Sequence, residues 1–278
     1  MIKLPGLERL GTLGFVGERK AVSLLCLGFF TTLFFMIGLS ARTELPEWVP
    51  VFTGMFLVYV TAFMGVAAEW FWGRWFAVGL GYWGCTMAVM AFVTTRSFPP
   101  AMVIFGVMHA LIAVCLLGEK MAAVFDAKPA WRERWKLDEQ GVLRVRKSVT
   151  RMASSLPALI MFALAPREGQ SLAAFGAPVF DSALLALAAM GLVAMAGFLV
   201  TRRTWAVLAL GAVGVGVFAK AILGGGHLFS SQMYFDPAAL PHAACGFQLA
   251  GLFAGAMMIA ACLPFAYPMA RFVLSGRK

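Results

Sequence analysis

Eight long apolar runs constrain the fold of this 278-residue chain more than any other feature. A helix needs about 20 apolar residues to cross about 30 Å of hydrocarbon, and a helix satisfies its own backbone hydrogen bonds in lipid. Charged residues make up 13% of the chain, against about a quarter in soluble proteins. We therefore predict an all-α polytopic membrane protein with eight transmembrane helices, spans one to eight: 21–41, 49–69, 75–95, 100–118, 149–166, 182–201, 204–223 and 241–268.

The distribution of Lys and Arg predicts the orientation of these spans. The only long polar segment, residues 119–151, carries nine of the 23 basic residues. If the N-terminus is inside, 19 basic residues lie on the inner side and four on the outer side. Basic residues accumulate in cytoplasmic loops, so both termini and this segment are expected in the cytoplasm of a bacterial-type inner membrane. The net charge of +10 is thereby explained by topology, and no nucleic-acid partner is expected.

Short motifs at three successive helix starts recur at a nearly constant offset. The pairs are Arg19-Lys20 with Arg146-Lys147, Pro50-Val51-Phe52 with Pro178-Val179-Phe180, and Arg74 followed by Ala77-Val78 with Arg203 followed by Ala206-Val207. The offsets of 127, 128 and 129 residues predict two repeated four-helix bundles in the same orientation, related by an axis along the membrane normal. The predicted organisation is a cytoplasmic or interfacial segment 1–20, a first four-helix unit 21–118, a basic loop 119–148, a second unit 149–268 and a tail 269–278.

The basic loop contains a cluster of aromatic and cationic side chains: Trp131, Arg132, Arg134, Trp135 and Lys136. One interpretation is an amphipathic helix that docks a protein partner or lies on the inner leaflet. The other is a solvated connector whose tryptophans lie at the lipid headgroups.

Polar side chains near the middle of a span are the usual functional candidates in a membrane protein. Here they are His109 in span four and Gln248 in span eight. They could lie on a transport pathway, or they could form hydrogen bonds between helices. A haem held by two histidines would require a second histidine inside a span, and the sequence has none.

The longest outer loop, residues 224–241, contains His227, Tyr234 and Asp236, and His242 follows it. A proton acceptor and hydrogen-bond donors beside an apolar pocket would suit a quinol headgroup, so quinone or a bound lipid is the expected ligand. The spacing of His227, Asp236 and His242 matches no metal signature, and we predict no metal. The alternative is a polar loop without a ligand.

Span eight also contains a GxxxG motif and two prolines. Gly251 and Gly255 form the motif, which favours close helix packing. Pro264 and Pro268 predict that the helix kinks or ends near the inner side. Catalytic motifs of soluble enzymes are absent from the sequence.

These observations predict a membrane subunit that anchors or assembles a larger complex, with membrane lipids and other proteins as partners. Two alternatives remain open. One is a small secondary transporter or channel that uses the repeat, with His109 and Gln248 in the pathway. The other is an intramembrane enzyme that modifies a lipid at the outer face.

Overall fold

The computed structural model describes residues 15–95, 100–126, 139–164, 181–201, 204–223 and 240–274. Within these ranges every regular element is a helix, as predicted. The elements are α1 Val16–Glu44, a 3-10 helix Pro46–Trp48, α2 Val49–Ala67, α3 Gly73–Thr95, α4 Pro100–Leu116, α5 Glu119–Asp126, α6 Glu139–Leu164, α7 Ser182–Thr201, α8 Thr204–Leu223 and α9 Leu240–Leu274.

Six of the described helices are long and apolar enough to cross a membrane: α1, α2 with the preceding 3-10 helix, α3, α7, α8 and α9. The helices α4 and α5 form a pair bent by 77°, which makes a seventh candidate if the pair is one span. The helices therefore indicate a multi-pass membrane protein. The remaining helix, α6, begins at Glu139 and includes four basic residues and Pro157, which lower its average hydropathy below that of the others.

The described helices are arranged in two groups of neighbours. In the first group α1 packs against α2 and α4, and α3 also packs against α2 and α4. In the second group α6 packs against α9 and, over a smaller area, α7, while α8 packs against α7 and α9. Each group thus closes a ring of four helices in chain order.

The helix α6 joins the two rings, since it also packs against α3 and α2. Its residues from Ser148 to Ala163 are almost all buried. Gly79 of α3 permits a close approach, because a Cβ at this position would overlap the backbone of Thr150. Ser154 Oγ donates a hydrogen bond to the Gly79 carbonyl oxygen at 2.8 Å. A helix enclosed by other helices needs little apolar surface, which explains how α6 accommodates its polar residues.

Two polar side chains of α6 bind the backbone of α9. Ser148 Oγ donates to the Ala261 carbonyl oxygen at 2.5 Å, and Arg151 Nη1 donates to the Ala260 carbonyl oxygen at 2.6 Å. Pro264 lies four residues after Ala260 and has no N–H to bond that carbonyl. Arg151 supplies the missing donor. The helix α9 continues to Leu274 with both prolines inside it, so of the two predicted alternatives, a kink or an end at these prolines, the helix does not end there.

Candidate functional site

One end of the helix bundle is strongly basic, and we call it the basic end. It is the end at which α1 and α3 begin and α4 terminates. Arg19 of α1 and Arg74 of α3 donate hydrogen bonds to backbone carbonyls at and just after the C-terminus of α4: Val114, Leu116, Leu117 and Gly118. Gly118 follows with φ 104°, a conformation that glycine adopts without strain. The two guanidinium groups thus satisfy the C-terminal carbonyls of α4, where the helix dipole favours positive charge.

A pocket of about 280 Å³ opens beside this end, and we call it the junction pocket. The helices α3 and α9 both pack on α6 but touch each other only slightly, so the pocket occupies the angle between them with α6 as its floor. It is lined by Trp75, Val78, Tyr82, Leu117, Arg146, Lys147, Thr150, Arg151 and Met257. The lining therefore comes from both rings of helices.

The cationic residues of the junction pocket come from one helix and its aromatic residues from another, and the two sets meet where Arg146 lies over Trp75. Arg146, Lys147 and Arg151 come from α6, and the first two are exposed. Trp75 comes from α3, and the Arg146 Cζ lies 4.0 Å from the centroid of its ring. None of the nine lining residues, all in the described part of the chain, is acidic. This chemistry suits an anion that carries an apolar part.

The predicted intramembrane candidate His109 lies in an aromatic enclosure inside the first ring. Its side chain is fully buried. Ring centroids surround the imidazole at 4.1 Å for Phe105, 4.3 Å for Phe30 and 5.9 Å for Trp83. Gly84 of α3 leaves room for the imidazole ring, because a Cβ at this position would overlap it. His109 therefore has no adjoining room for a ligand within the described structure.

Both nitrogens of His109 already have hydrogen-bond partners. The Phe105 carbonyl oxygen, which can only accept, lies 2.7 Å from Nδ1, so Nδ1 carries the proton. Nε2 consequently accepts from the Tyr59 hydroxyl at 2.5 Å. The neutral imidazole thus links α4 to α2, which is the interhelix role that the sequence left as one of two alternatives.

Gln248 lies in the other ring, and its Nε2 donates to the Ala221 carbonyl oxygen of α8 at 3.2 Å. The structure therefore does not bring His109 and Gln248 together in one ring. Gly251 and Gly255 lie on the packed face of α9. A Cβ at Gly251 would overlap the Phe162 ring, and one at Gly255 would overlap the backbone of α8 at Phe218.

The other predicted site residues fall outside the described structure. The outer-loop candidates His227, Tyr234 and Asp236 lie outside the described residues, as do the loop candidates Trp131, Arg132, Arg134, Trp135 and Lys136. His242 is part of α9, but its side chain is not described.

The junction pocket itself was not predicted from the sequence. Arg146 and Lys147 belong to the predicted basic loop 119–148 and Arg151 to the predicted span five, whereas α6 begins at Glu139 and includes all three. Helical spacing places Arg146, Lys147, Thr150 and Arg151 on neighbouring positions of one surface of α6. If the predicted helix had started at residue 139, where α6 begins, instead of at residue 149, the sequence would have shown this basic surface.

Comparison with protein-family models, curated proteins and solved structures finds no match to this chain.

Proposed function

We propose that the protein is a non-catalytic integral membrane subunit that anchors or assembles a larger membrane complex. One observation carries this proposal: His109, the histidine at the middle of a span, is enclosed and fully engaged by Tyr59 and Phe105. Ser154 and Arg151 likewise bond backbone carbonyls of neighbouring helices. Because these interior polar groups are used for helix packing, we expect the residues that carry the function to lie on the surface of the protein.

The distribution of charge supports a cytoplasmic position for both termini. Arg19, Arg74 and Arg146 come together at the basic end. Contacts along α8 place Lys220 towards the opposite end, where it pairs with Asp181 at 2.8 Å. By the positive-inside rule the basic end faces the cytoplasm of a bacterial-type inner membrane.

The chain-order rings support the proposed duplication. In both halves each helix has its sequence neighbours beside it, and the last helix returns to the first. Such an arrangement fits two four-helix units and eight spans in which α6 is the fifth. The helix α6 can cross the membrane despite its basic residues because Arg144, Arg146 and Lys147 lie in its first half and its buried part faces other helices. Arg151, at the middle of α6, is bonded to the Ala260 carbonyl oxygen of α9.

Two surfaces are proposed for partners of this subunit. A protein partner would bind the basic loop through its tryptophan and arginine side chains on the cytoplasmic side. A quinol or a lipid would bind the outer loop, where His227 and Tyr234 could serve its headgroup. Both surfaces follow from sequence and lie outside the described residues.

Isolation from native membranes tests the proposal. We expect the full-length protein to co-purify with at least one stoichiometric protein partner in mild detergent, as measured by native mass spectrometry. A variant with Trp131, Arg132, Arg134, Trp135 and Lys136 all replaced by Ser should lose that partner and keep its helix content and melting temperature. Isolation of the unaltered protein as a lone monomer in every mild detergent would contradict the proposal.

The transporter alternative is tested by His109→Ala. A pathway role predicts lost flux with normal folding, whereas the enclosed position of His109 predicts lower stability without a transport defect. The lipid-enzyme alternative depends on His227, Tyr234 and Asp236. Survival of an observed activity after replacement of all three residues would exclude it.

A further inference from the structure

We propose that the junction pocket binds the phosphate headgroup of an anionic phospholipid from the leaflet at the basic end. This inference goes beyond the proposed function and does not depend on it, because a transporter or an enzyme could use the same lipid. The ligand is defined by three properties of the pocket, which are its cations, its amphipathic wall and its outlet to the membrane.

The cations of the pocket fit a phosphate group. Arg146 and Lys147 come from one turn of α6 and Arg151 from the next turn. A guanidinium forms paired hydrogen bonds with phosphate oxygens, and an ammonium adds a point charge. Arg151 is held in place by its hydrogen bond to the Ala260 carbonyl oxygen. One cation of this set is therefore fixed in position before an anion binds.

The opposite wall of the pocket favours an amphiphile over a free anion. Tyr82 is 45% exposed and is a residue type that lies at the level of lipid headgroups. Leu117 and Met257 add a partly exposed apolar lining, whereas Trp75 and Val78 are almost completely buried. Free phosphate gains nothing from such surfaces, whereas the glycerol and first methylene groups of a lipid bury apolar area against them.

The size and outlet of the pocket agree with a headgroup whose acyl chains remain outside. About 280 Å³ is at the lower limit of small-molecule sites and holds a phosphate with its glycerol but not two acyl chains. From the pocket, α3 presents Tyr82, Val89 and Val93 to the surface, with exposed fractions of 45%, 61% and 65%. Their spacing of seven and four residues places them on one face. This apolar face offers a track for an acyl chain.

A lipid in this position would contact both rings of helices. Trp75 lies on α3 in the first ring, and Met257 lies on α9 in the second ring. The helices α3 and α9 otherwise touch each other only slightly. A bound headgroup is therefore expected to stabilise the association of the two rings.

The test is lipid retention by the full-length protein. Protein in nanodiscs of equal parts phosphatidylglycerol, phosphatidylcholine and phosphatidylethanolamine is released and analysed by native mass spectrometry. We expect retained phosphatidylglycerol to exceed phosphatidylcholine by at least about fivefold, since a single basic residue near an anionic lipid contributes roughly a fivefold preference. The double variant Arg146→Gln with Lys147→Gln should lose most of this preference. Both residues are exposed, so folding should be preserved, as a thermal melt would verify.

The matched control is Arg144→Gln, the same substitution two residues earlier. Arg144 bonds Gln140 within α6 and does not line the pocket, so its replacement should leave the lipid preference intact. Arg144→Gln is compared with the single variant Arg146→Gln, which also removes one charge. Equal loss of the lipid preference in these two single variants would show only a general effect of charge and would overturn the proposal.

A competition arm separates a lipid headgroup from a free phosphate. Inorganic phosphate at millimolar concentration should not displace phosphatidylglycerol. Displacement by inorganic phosphate would overturn the lipid assignment, and so would equal retention of phosphatidylcholine by the unaltered protein. A photoreactive residue at position 82 should crosslink to lipid. Crosslinking to an acidic protein segment instead would also overturn the lipid assignment.

Discussion

At the residue scale, several polar groups of the described interior hold two helices together. His109 is the clearest case, because its tautomer is fixed by the Phe105 carbonyl and its second nitrogen is bound by Tyr59. A buried acceptor without a donor costs free energy in an apolar surrounding. Tyr59 and His109 are therefore expected to depend on each other.

Replacement of Tyr59 by Phe should lower the free energy of unfolding by about 1 kcal/mol. The change removes one oxygen atom and leaves His109 Nε2 without its donor, while the aromatic ring still fills its place. The measurement is equilibrium unfolding in mixed detergent micelles, monitored by circular dichroism.

Tyr82→Phe provides the control for this measurement, because it deletes the same atom from a side chain that is 45% exposed. Its stability should match that of the unaltered protein within error. If both variants were equally stable, the bond between Tyr59 and His109 would have no structural role.

At the scale of elements, α6 and α9 are joined by a hydrogen bond that a proline makes necessary. Pro264 cannot donate to the Ala260 carbonyl, and Arg151 donates to it instead. A backbone carbonyl left without a donor in a dry surrounding is costly in free energy. The hydrogen bond from Arg151 is therefore expected to matter for stability because Pro264 is present.

A double-mutant cycle should detect this coupling. Arg151→Ala in the natural background should destabilise the protein by about 1 to 2 kcal/mol, the cost of an unsatisfied carbonyl that is partly buried. In a Pro264→Ala background the new N–H can bond Ala260, and the same arginine replacement should cost about 1 kcal/mol less. Additive effects in the cycle, measured by unfolding in mixed micelles, would show that the two residues act independently.

The contact between α3 and α6 depends on the absence of a side chain at Gly79. A Cβ there would overlap the backbone of Thr150 and the side chain of Ala153. The Thr150 backbone cannot move aside as a flexible side chain can. Gly79→Ala should therefore destabilise the protein by about 1 to 3 kcal/mol.

The control for Gly79→Ala is Gly28→Ala in α1. A Cβ at Gly28 would make an ordinary contact of 3.6 Å with Phe63, so this substitution should be neutral in the same unfolding assay. Equal stability of the two variants would contradict the close approach of α3 and α6.

At the scale of the whole molecule, the positive charge is asymmetric along the helix axes. Arg19 and Arg74 satisfy the end of α4 while Arg146 and Lys147 line the pocket nearby. This asymmetry is the physical basis of the proposed orientation, because cationic side chains resist transfer across the membrane.

Reporter fusions check that orientation. Fusions after residue 132 and after residue 278 should be active with a cytoplasmic reporter such as green fluorescent protein and inactive with alkaline phosphatase. A fusion after residue 232, in the predicted outer loop, should show the reverse. Alkaline phosphatase activity at residue 278 would mean that the two sides have been assigned the wrong way round.

The sequence by itself determined the class of this protein. Long apolar runs can satisfy their backbone only as helices in lipid, so the all-helical fold followed directly from hydropathy, and His109 stood out as the ionisable side chain in the middle of a span. The sequence left open whether α9 kinks or ends at its prolines, because a proline removes a local hydrogen bond and the pattern along one helix does not show which neighbour replaces it.

Only the tertiary structure decided what the polar residues do. The partners of His109, Arg151 and Ser154 lie 50, 109 and 75 residues away along the chain, at distances over which periodicity carries no information about contact. The junction pocket is formed by α3, α6 and α9 together. Its chemistry exists only because packing brings the basic surface of one helix to the aromatic wall of another.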